Sequence, residues 1–440
     1  MTPGALRADP GFRRYLAARV VSMVGTLITA VVLPVLVYRL TGSAGWTAAV
    51  VAVEALPHLV LAPLAARVVR RLNARNLLFT ADLAGAALLA TVPLAWWSGD
   101  LSGWQVLAVA GAIQAAFVLR DRASSAALPA LFGPEMTAAA NNARREATDL
   151  VALMVPPLAG LAVAIVRPAP LLILGALSFL ASALLVRAAV RTRPDPTRPD
   201  PTRPVPTEPT DQQPAEVPRH PVRSGLRFLR ERPGPRALTL AGTLHAAAAG
   251  AYLAMLLPWA DQHLGVPPWG DARLALLISC WGLGAMIGRA LYPTLRARIG
   301  PLRLDREALL ASLAFGLGML ASTNWLPAVL TGLLWGAGYT VATRAGMDAV
   351  GTPARAATRM LRAGGLMTGA ALAGAVATLA TPRAGLAVGI GLLVLAEFAA
   401  RRAAAPVRPP VHRGPATDEH PDGPLNAPHP ARTPTAPPAR

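Results

Sequence analysis

The chain has 440 residues, 53% hydrophobic and 15% charged, with a mean hydropathy of +0.43. Once its polar tail is set aside it is too apolar for a water-soluble domain of this length. All 42 of its Lys/Arg residues are arginine and the formal charge is +19; because they flank apolar segments they report membrane topology, and no nucleic-acid partner is expected. The single cysteine, Cys280, sits inside an apolar segment, which excludes an internal disulfide and offers neither a redox pair nor a metal site.

In chain order, residues 1–14 are polar and short, and the apolar run that follows is too long for a signal-peptide core and has no small-residue cleavage pattern, so it reads as an uncleaved first helix. Apolar segments recur at residues 15–38, 45–66, 77–97, 104–119, 150–166 and 170–186, and again at 238–260, 274–292, 308–322, 327–342, 360–380 and 384–400. Each is about the length that crosses a hydrocarbon core, where only a helix satisfies its own backbone. Between the two sets, residues 187–236 are dense in Pro, Arg, Thr and Asp and repeat Pro-Asp-Pro-Thr-Arg within 194–203; with no apolar face to bury, this stretch reads as a disordered or polyproline-like linker. The tail from 405 has the same character. The expected fold is an all-α polytopic membrane protein with twelve transmembrane helices in two pseudo-symmetric six-helix bundles. Its plan is an N-terminus at 1–14, bundles at 15–189 and 237–402, a linker at 190–236 and a tail at 403–440.

Arginine distribution sets the orientation. Arg13, Arg14, Arg67, Arg70, Arg71, Arg75, Arg120, Arg122, Arg144 and Arg145 fall on one side, with the linker, Arg296, Arg298, Arg303, Arg306, Arg355, Arg359 and the C-terminal arginines. The other gaps hold only Arg39, Arg167, Arg273 and Arg383, and Trp96, Trp97, Trp104, Trp259, Trp269 and Trp325 cluster near that poor side as an aromatic belt. Both termini and the linker are therefore expected in the cytoplasm of a bacterial cell, with the lipid bilayer as partner.

Two six-helix halves joined by a long linker, with a basic turn after the second helix, resemble the major facilitator superfamily. The Leu-Thr-Gly-Ser run at 40–43, Ala55-Leu56-Pro57, Ala81-Asp82-Leu83 and Gly225-Leu226-Arg227-Phe228-Leu229 are similar to its macrolide-efflux and enterobactin-exporter-like branch of proton-coupled exporters. That resemblance implies a conformational latch at the turn between the second and third helices. Arg71 and Arg75 match it, while Arg70 stands in place of the usual acid and Ala66 in place of the usual glycine. Asp82, about 10 Å up the third helix from Arg75, is expected to partner Arg71 or Arg75. The resemblance also assigns Pro156, Pro157 and Gly160 to a kinked, closely packed stretch of the fifth helix.

Nothing resembles an ATP-binding or covalent-catalysis element. The chain is therefore not expected to be an enzyme, and transport has to draw on an ion gradient, with no cofactor beyond that of protons. Glu54 lies roughly 14 Å and 19 Å along its helix from residues 45 and 67, close to mid-membrane, where a charged carboxylate costs about 2.5–3.5 kcal/mol on insertion scales. His58, at i+4 on the same face, is placed to share its proton. Asp149 or Asp82 bridging to Arg289 would gate between the halves, while Arg19 is expected to snorkel and Glu397–Arg401 to form an ordinary surface pair. His245, Tyr252, Trp281, Asn324, Trp335 and Tyr339 are candidates for the substrate cavity, His245 facing an open space among Ala246–Ala249. The expectation is a monomeric proton antiporter that exports a small, mainly hydrophobic compound such as a drug, antibiotic or siderophore. The alternatives are an importer or facilitator of the same fold, and a non-transporting sensor or assembly protein.

Overall fold

The computed structural model describes residues 8–71, 74–132, 136–190 and 221–404. Among the described residues there is no strand. The N-terminal half comprises α1 (Pro10–Thr41), α2 (Ala44–Arg71), α3 (Ala74–Ser98), α4 (Gly103–Phe132), α5 (Thr137–Ile165) and α6 (Pro168–Val190). A short α7 (Pro221–Glu231) precedes the second half, which comprises α8 (Pro233–Leu264), α9 (Ala272–Ile299), α10 (Pro301–Ala321), α11 (Trp325–Val350), α12 (Arg355–Leu379) and α13 (Pro382–Ala404).

Eleven of the described helices are long and apolar enough to cross a membrane. The twelfth spanning helix of the fold is α10, whose first two turns carry Arg303, Asp305, Arg306 and Glu307 and whose apolar stretch is correspondingly short. Within each half the helices pack on one another, α1 on α5 and α6, α3 on α4 and α6, α8 on α12 and α13, and α11 on α9 and α10. The halves meet through α2 against α12 and α8, and through α5 against α9.

Local chemistry explains where helices start and stop. Asp9 caps α1 by accepting from the Phe12 N–H (3.0 Å), ahead of Pro10 at the first position, where a missing N–H costs nothing. Gly42 (φ +63°) and Gly265 (φ +61°) end α1 and α8 in the left-handed conformation that favours glycine. Asp271 caps α9 while Arg273 clasps its carboxylate, which holds that carboxyl below the usual carboxylate range. Between α9 and α11 the approach is close enough that a Cβ on Gly284 would collide with the Leu333 carbonyl, and one on Gly336 with that of Trp281. Without a hydrophobic force to drive helices together in lipid, such small-residue contacts are what van der Waals attachment requires.

Several boundaries differ from the apolar segments. The fourth segment was expected to end at residue 119 and the fifth to start at 150, yet α4 continues to Phe132 and α5 begins at Thr137. Hydropathy senses burial in lipid, whereas the helices run on past the apolar zone because Ala-rich sequence favours helix and the charges there find partners. Part of the stretch expected to be disordered, residues 221–231, is a helix: Leu229 is buried, Leu226 and Phe228 pack beside it, and Gly225 lies against Ala357. Trp259 belongs to the core rather than to an aromatic belt, whereas Trp97, Trp104 and Trp269 are exposed. Residues 1–7, the repeat at 194–203 and the tail from 405 lie outside the described residues.

Candidate functional site

A polar network ties together the interior of the N-terminal half. Asp82 of α3 is 1% exposed and Arg120 of α4 is 3% exposed. Arg120 Nη1 donates to Asp82 Oδ1 (2.6 Å) and to the Ser22 hydroxyl of α1, and its Nη2 donates to Thr26 Oγ1 (3.1 Å). The remaining capacity of Asp82 is taken by Ser22 on Oδ1 (3.0 Å) and by Ser182 of α6 on Oδ2 (2.6 Å). Phe117 and Phe179 flank the guanidinium at 5.2 and 5.6 Å. Four helices thus share one ion pair, and in a low-dielectric interior such a pair persists because both carboxylate oxygens and both terminal guanidinium nitrogens are hydrogen-bonded, while the buried Arg120 Nε has no partner among the described residues.

This corrects the expectation that Asp82 partners Arg71 or Arg75, whose side chains lie outside the described residues. Asp82 points inward to α1, α4 and α6, and Arg120, grouped by sequence with the rim arginines, is the residue that reaches it. Arg19 is likewise buried rather than snorkelling, 4.0 Å from Asp121.

Glu54 sits mid-way along α2. That helix presents Gly45, Ala48 and Leu59 to Thr378, Gly374 and Gly364 of α12, and Val53 and His58 to Gly111 and Phe117 of α4. At 100° per residue, Glu54 falls on the α4-facing side. Its Oε1 is buried with no hydrogen-bond partner. His58 shares that side, its ring 6.1 Å from Phe117, and no hydrogen bond joins it to Glu54 among the described residues.

In the C-terminal half, aromatic rings form a continuous cluster. Tyr252 of α8 stacks on Trp281 of α9 at 4.5 Å, Trp335 of α11 stands edge-on to both, and Tyr339 links Trp281 (5.3 Å) to His245 (4.9 Å). Spacing puts the members from each helix on one face, since 245 and 252 are seven apart on α8 and 335 and 339 are four apart on α11, and helix packing brings those faces together on Trp281 of α9. Five of the six candidates for the substrate cavity therefore converge. The sixth, Asn324, does not: it is exposed and caps α11 by accepting from the Leu326 N–H (3.3 Å). Nor does His245 face an open space. It is 0% exposed, because the neighbouring alanines let α12 close on α8, where a Cβ on Gly369 would strike the Ala247 carbonyl. Arg362 of α12 is buried nearby and donates to the Thr343 hydroxyl (2.9 Å) and carbonyl (3.2 Å). Glu397 is no ordinary surface residue: it is 4% exposed and bridges Arg401 (2.9 Å) to Arg306 of α10 (3.6 Å).

Polar contacts link the halves at both ends. On the arginine-rich side Asp149 of α5 and Arg289 of α9 form an ion pair. Further along the same helix pair Gly160 brings α5 close to α9, its Cβ direction 3.0 Å from the Ala275 Cα. Pro156 and Pro157 lie inside α5, which remains one helix through them. On the arginine-poor side the Tyr38 hydroxyl donates to Asp261 (2.8 Å), Gln262 reaches Tyr38 (3.4 Å), and Arg39 lies 4.6 Å over the Trp269 ring. Tyr38 and Asp261 each lie 28 residues beyond the first residue of their helices (38 − 10 and 261 − 233). They are equivalent positions of the two halves meeting near the pseudo-two-fold axis, a pairing that neither residue type advertises in the sequence. Among the described residues no group of three or more His, Cys, Asp or Glu is placed to hold a metal ion.

The profile of the Major Facilitator Superfamily matches residues 15–378. No curated protein matches the chain. Among solved structures, a bacterial homolog to the human lysosomal transporter Spinster, in an inward-facing and unoccupied conformation, is similar with TM-score 0.68 at 13% identity, over 90% of this chain and 98% of that one. The nucleoside transporter NupG gives 0.68 at 12%, over 90% and 99%. The POT family transporter PepTSo gives 0.66 at 8%, over 90% and 97%.

Proposed function

The chain belongs to the Major Facilitator Superfamily and is a multi-pass membrane transporter rather than an enzyme, and on that premise we propose that it exports a small, mainly hydrophobic organic compound by proton antiport across the bacterial cytoplasmic membrane. The observation that carries this reading is Glu54, a carboxyl in the middle of α2 whose buried Oε1 has no hydrogen-bond partner among the described residues. A group so placed is costly to keep charged, and intramembrane acids of this kind mark proton pathways. The two faces of α2 give the proton a mechanical consequence: one packs on α4 around Glu54, the other on α12 of the opposite half. Gaining or losing a proton changes how α2 beds against α4, and so biases the α2–α12 contact on which the halves rock. Substrate must favour the opposite bias for the two fluxes to couple.

Trp281 and Tyr339, the half-buried rings of the aromatic cluster, support an apolar, ring-bearing substrate, since they offer contact area with few polar demands while the buried Tyr252 and Trp335 hold them in place. His58, beside Phe117, is the second group on the proton path, and the chain works as a monomer with both termini in the cytoplasm.

Everted vesicles loaded by a panel of small hydrophobic dyes test the proposal. Accumulation is expected to collapse with a protonophore and to fall at least about ten-fold in Glu54→Gln, with Glu54→Asp retaining part of it. Undiminished proton-driven flux in Glu54→Gln would remove the antiport reading. Net uptake in right-side-out vesicles would identify an importer, and the absence of flux in either orientation would leave a sensor or assembly protein.

A further inference from the structure

Where the linker joins the second half, the structure holds a groove that includes none of the residues of the proposed transport path. Its volume is about 290 Å3 and its apolar wall is made by Leu226 and Leu229 of α7, Leu240 of α8 and Leu361 of α12, with Arg230, Arg236, Thr239 and Thr243 completing the lining. Leu240 is 52% exposed, so the groove opens on the outer surface of α8. Both arginines are exposed, and neither is held by an acid among the described residues, where the one ion pair on α7 is Arg227 with Glu231 (2.9 Å). Helix α7 itself carries arginine at 223, 227 and 230 around the buried Leu229 and the half-buried Leu226 and Phe228, the pattern of a helix that lies in a membrane interface.

We propose that this groove binds one anionic phospholipid of the leaflet on the arginine-rich side, an acyl chain lying along the leucines and the phosphate between Arg230 and Arg236. Charge complementarity singles out this occupant: two free guanidinium groups beside an apolar wall at headgroup level suit a phosphate that carries its own hydrocarbon. The chain's own segments suit it poorly. Residues 191–220 contain only Val205, Ala215 and Val217 as apolar residues outside the prolines, and they bring further arginines rather than an answering hydrocarbon. The site is independent of transport direction, so its failure and that of the antiport reading are separable.

The test uses the full chain purified in detergent and exchanged with phosphatidylglycerol or phosphatidylcholine of identical acyl chains, bound lipid being counted by native mass spectrometry. One phosphatidylglycerol is expected to be retained in preference to phosphatidylcholine. Arg230→Gln with Arg236→Gln is expected to weaken that retention about thirty-fold, at roughly one basic residue's worth of headgroup attraction each. Leu240→Trp, which fills the groove and leaves both charges, is expected to reduce retention as well, whereas Arg223→Gln leaves it unchanged. The proposal fails if the double variant holds phosphatidylglycerol as wild type does, if both lipids are retained equally, if Arg223→Gln is as damaging as the double variant, or if inorganic phosphate competes as well as the lipid.

Discussion

At the scale of single residues, the most constrained chemistry is the Asp82–Arg120 pair rather than the proton-carrying candidate. Both charges are buried, and every contact of Asp82 comes from a different helix, so removing the acid strands a guanidinium with only hydroxyl partners in apolar surroundings. Breaking one side of such a pair typically costs about 3–5 kcal/mol, far more than the intact pair contributes. Asp82→Ala is therefore expected to lower the apparent melting temperature in detergent sharply, and Asp82→Asn, which still accepts a hydrogen bond, to lower it less. Equal melting of wild type and Asp82→Ala would show that the pair is not structural. Sequence showed Asp82 as a membrane-embedded acid, but its partner was illegible: Arg120 follows an apolar run and looks like a rim arginine until α4 is seen to continue past it.

Among elements, the second half depends on close helix approach through small residues. A side chain at Gly284 would meet the backbone of α11, which cannot rotate aside as a side chain can. Overpacking of this kind costs typically about 1–3 kcal/mol where neighbours adjust, and more where they are backbone. Gly284→Val is expected to destabilise or prevent folding, read as loss of a monodisperse peak on size exclusion. Gly282→Ala, two residues away with nothing within 4 Å of the added carbon, is expected to behave as wild type. Periodicity and length make the twelve spanning elements legible in the residues themselves, but not their ends, because apolar windows stop at the edge of lipid while hydrogen-bonded helices do not. Helix α7 was hidden for a related reason: its Leu226 and Leu229 are too few to register as an apolar segment, and they pack against Leu238 of α8, Val350 at the end of α11, Ala354 just before α12 and Ala357 within it.

For the whole molecule, the question is how two bundles alternate between states. The contacts at opposite ends, Tyr38–Asp261 and Asp149–Arg289, pull in opposite senses, so loosening either biases the rocking equilibrium. The Asp149–Arg289 pair is more than a third exposed on both sides, and after solvent screening contributes no more than about 1 kcal/mol. Its loss corresponds to a population shift of up to about five-fold. Asp149→Asn is expected to widen the arginine-rich rim and Tyr38→Phe the opposite one, measured by electron–electron distance distributions between spin labels across each rim, with Cys280 replaced by Ala. Shifts of the same sign in both variants would show that the contacts do not oppose one another.

What the sequence determined alone is the solvent of the fold and its count of spans, because both follow from composition and local period: enough consecutive apolar residues to cross lipid, and arginine kept to one face. It also marked Glu54, Asp82 and the aromatic positions of α8, α9 and α11, since polar or bulky side chains at membrane depth stand out by type. Tertiary structure alone decided which of them meet. Asp82 with Arg120, Tyr38 with Asp261, the stack from Tyr252 to His245 and the exclusion of Asn324 depend on rotations of helices far apart in the chain. Those rotations are set by mutual packing, which no local pattern encodes.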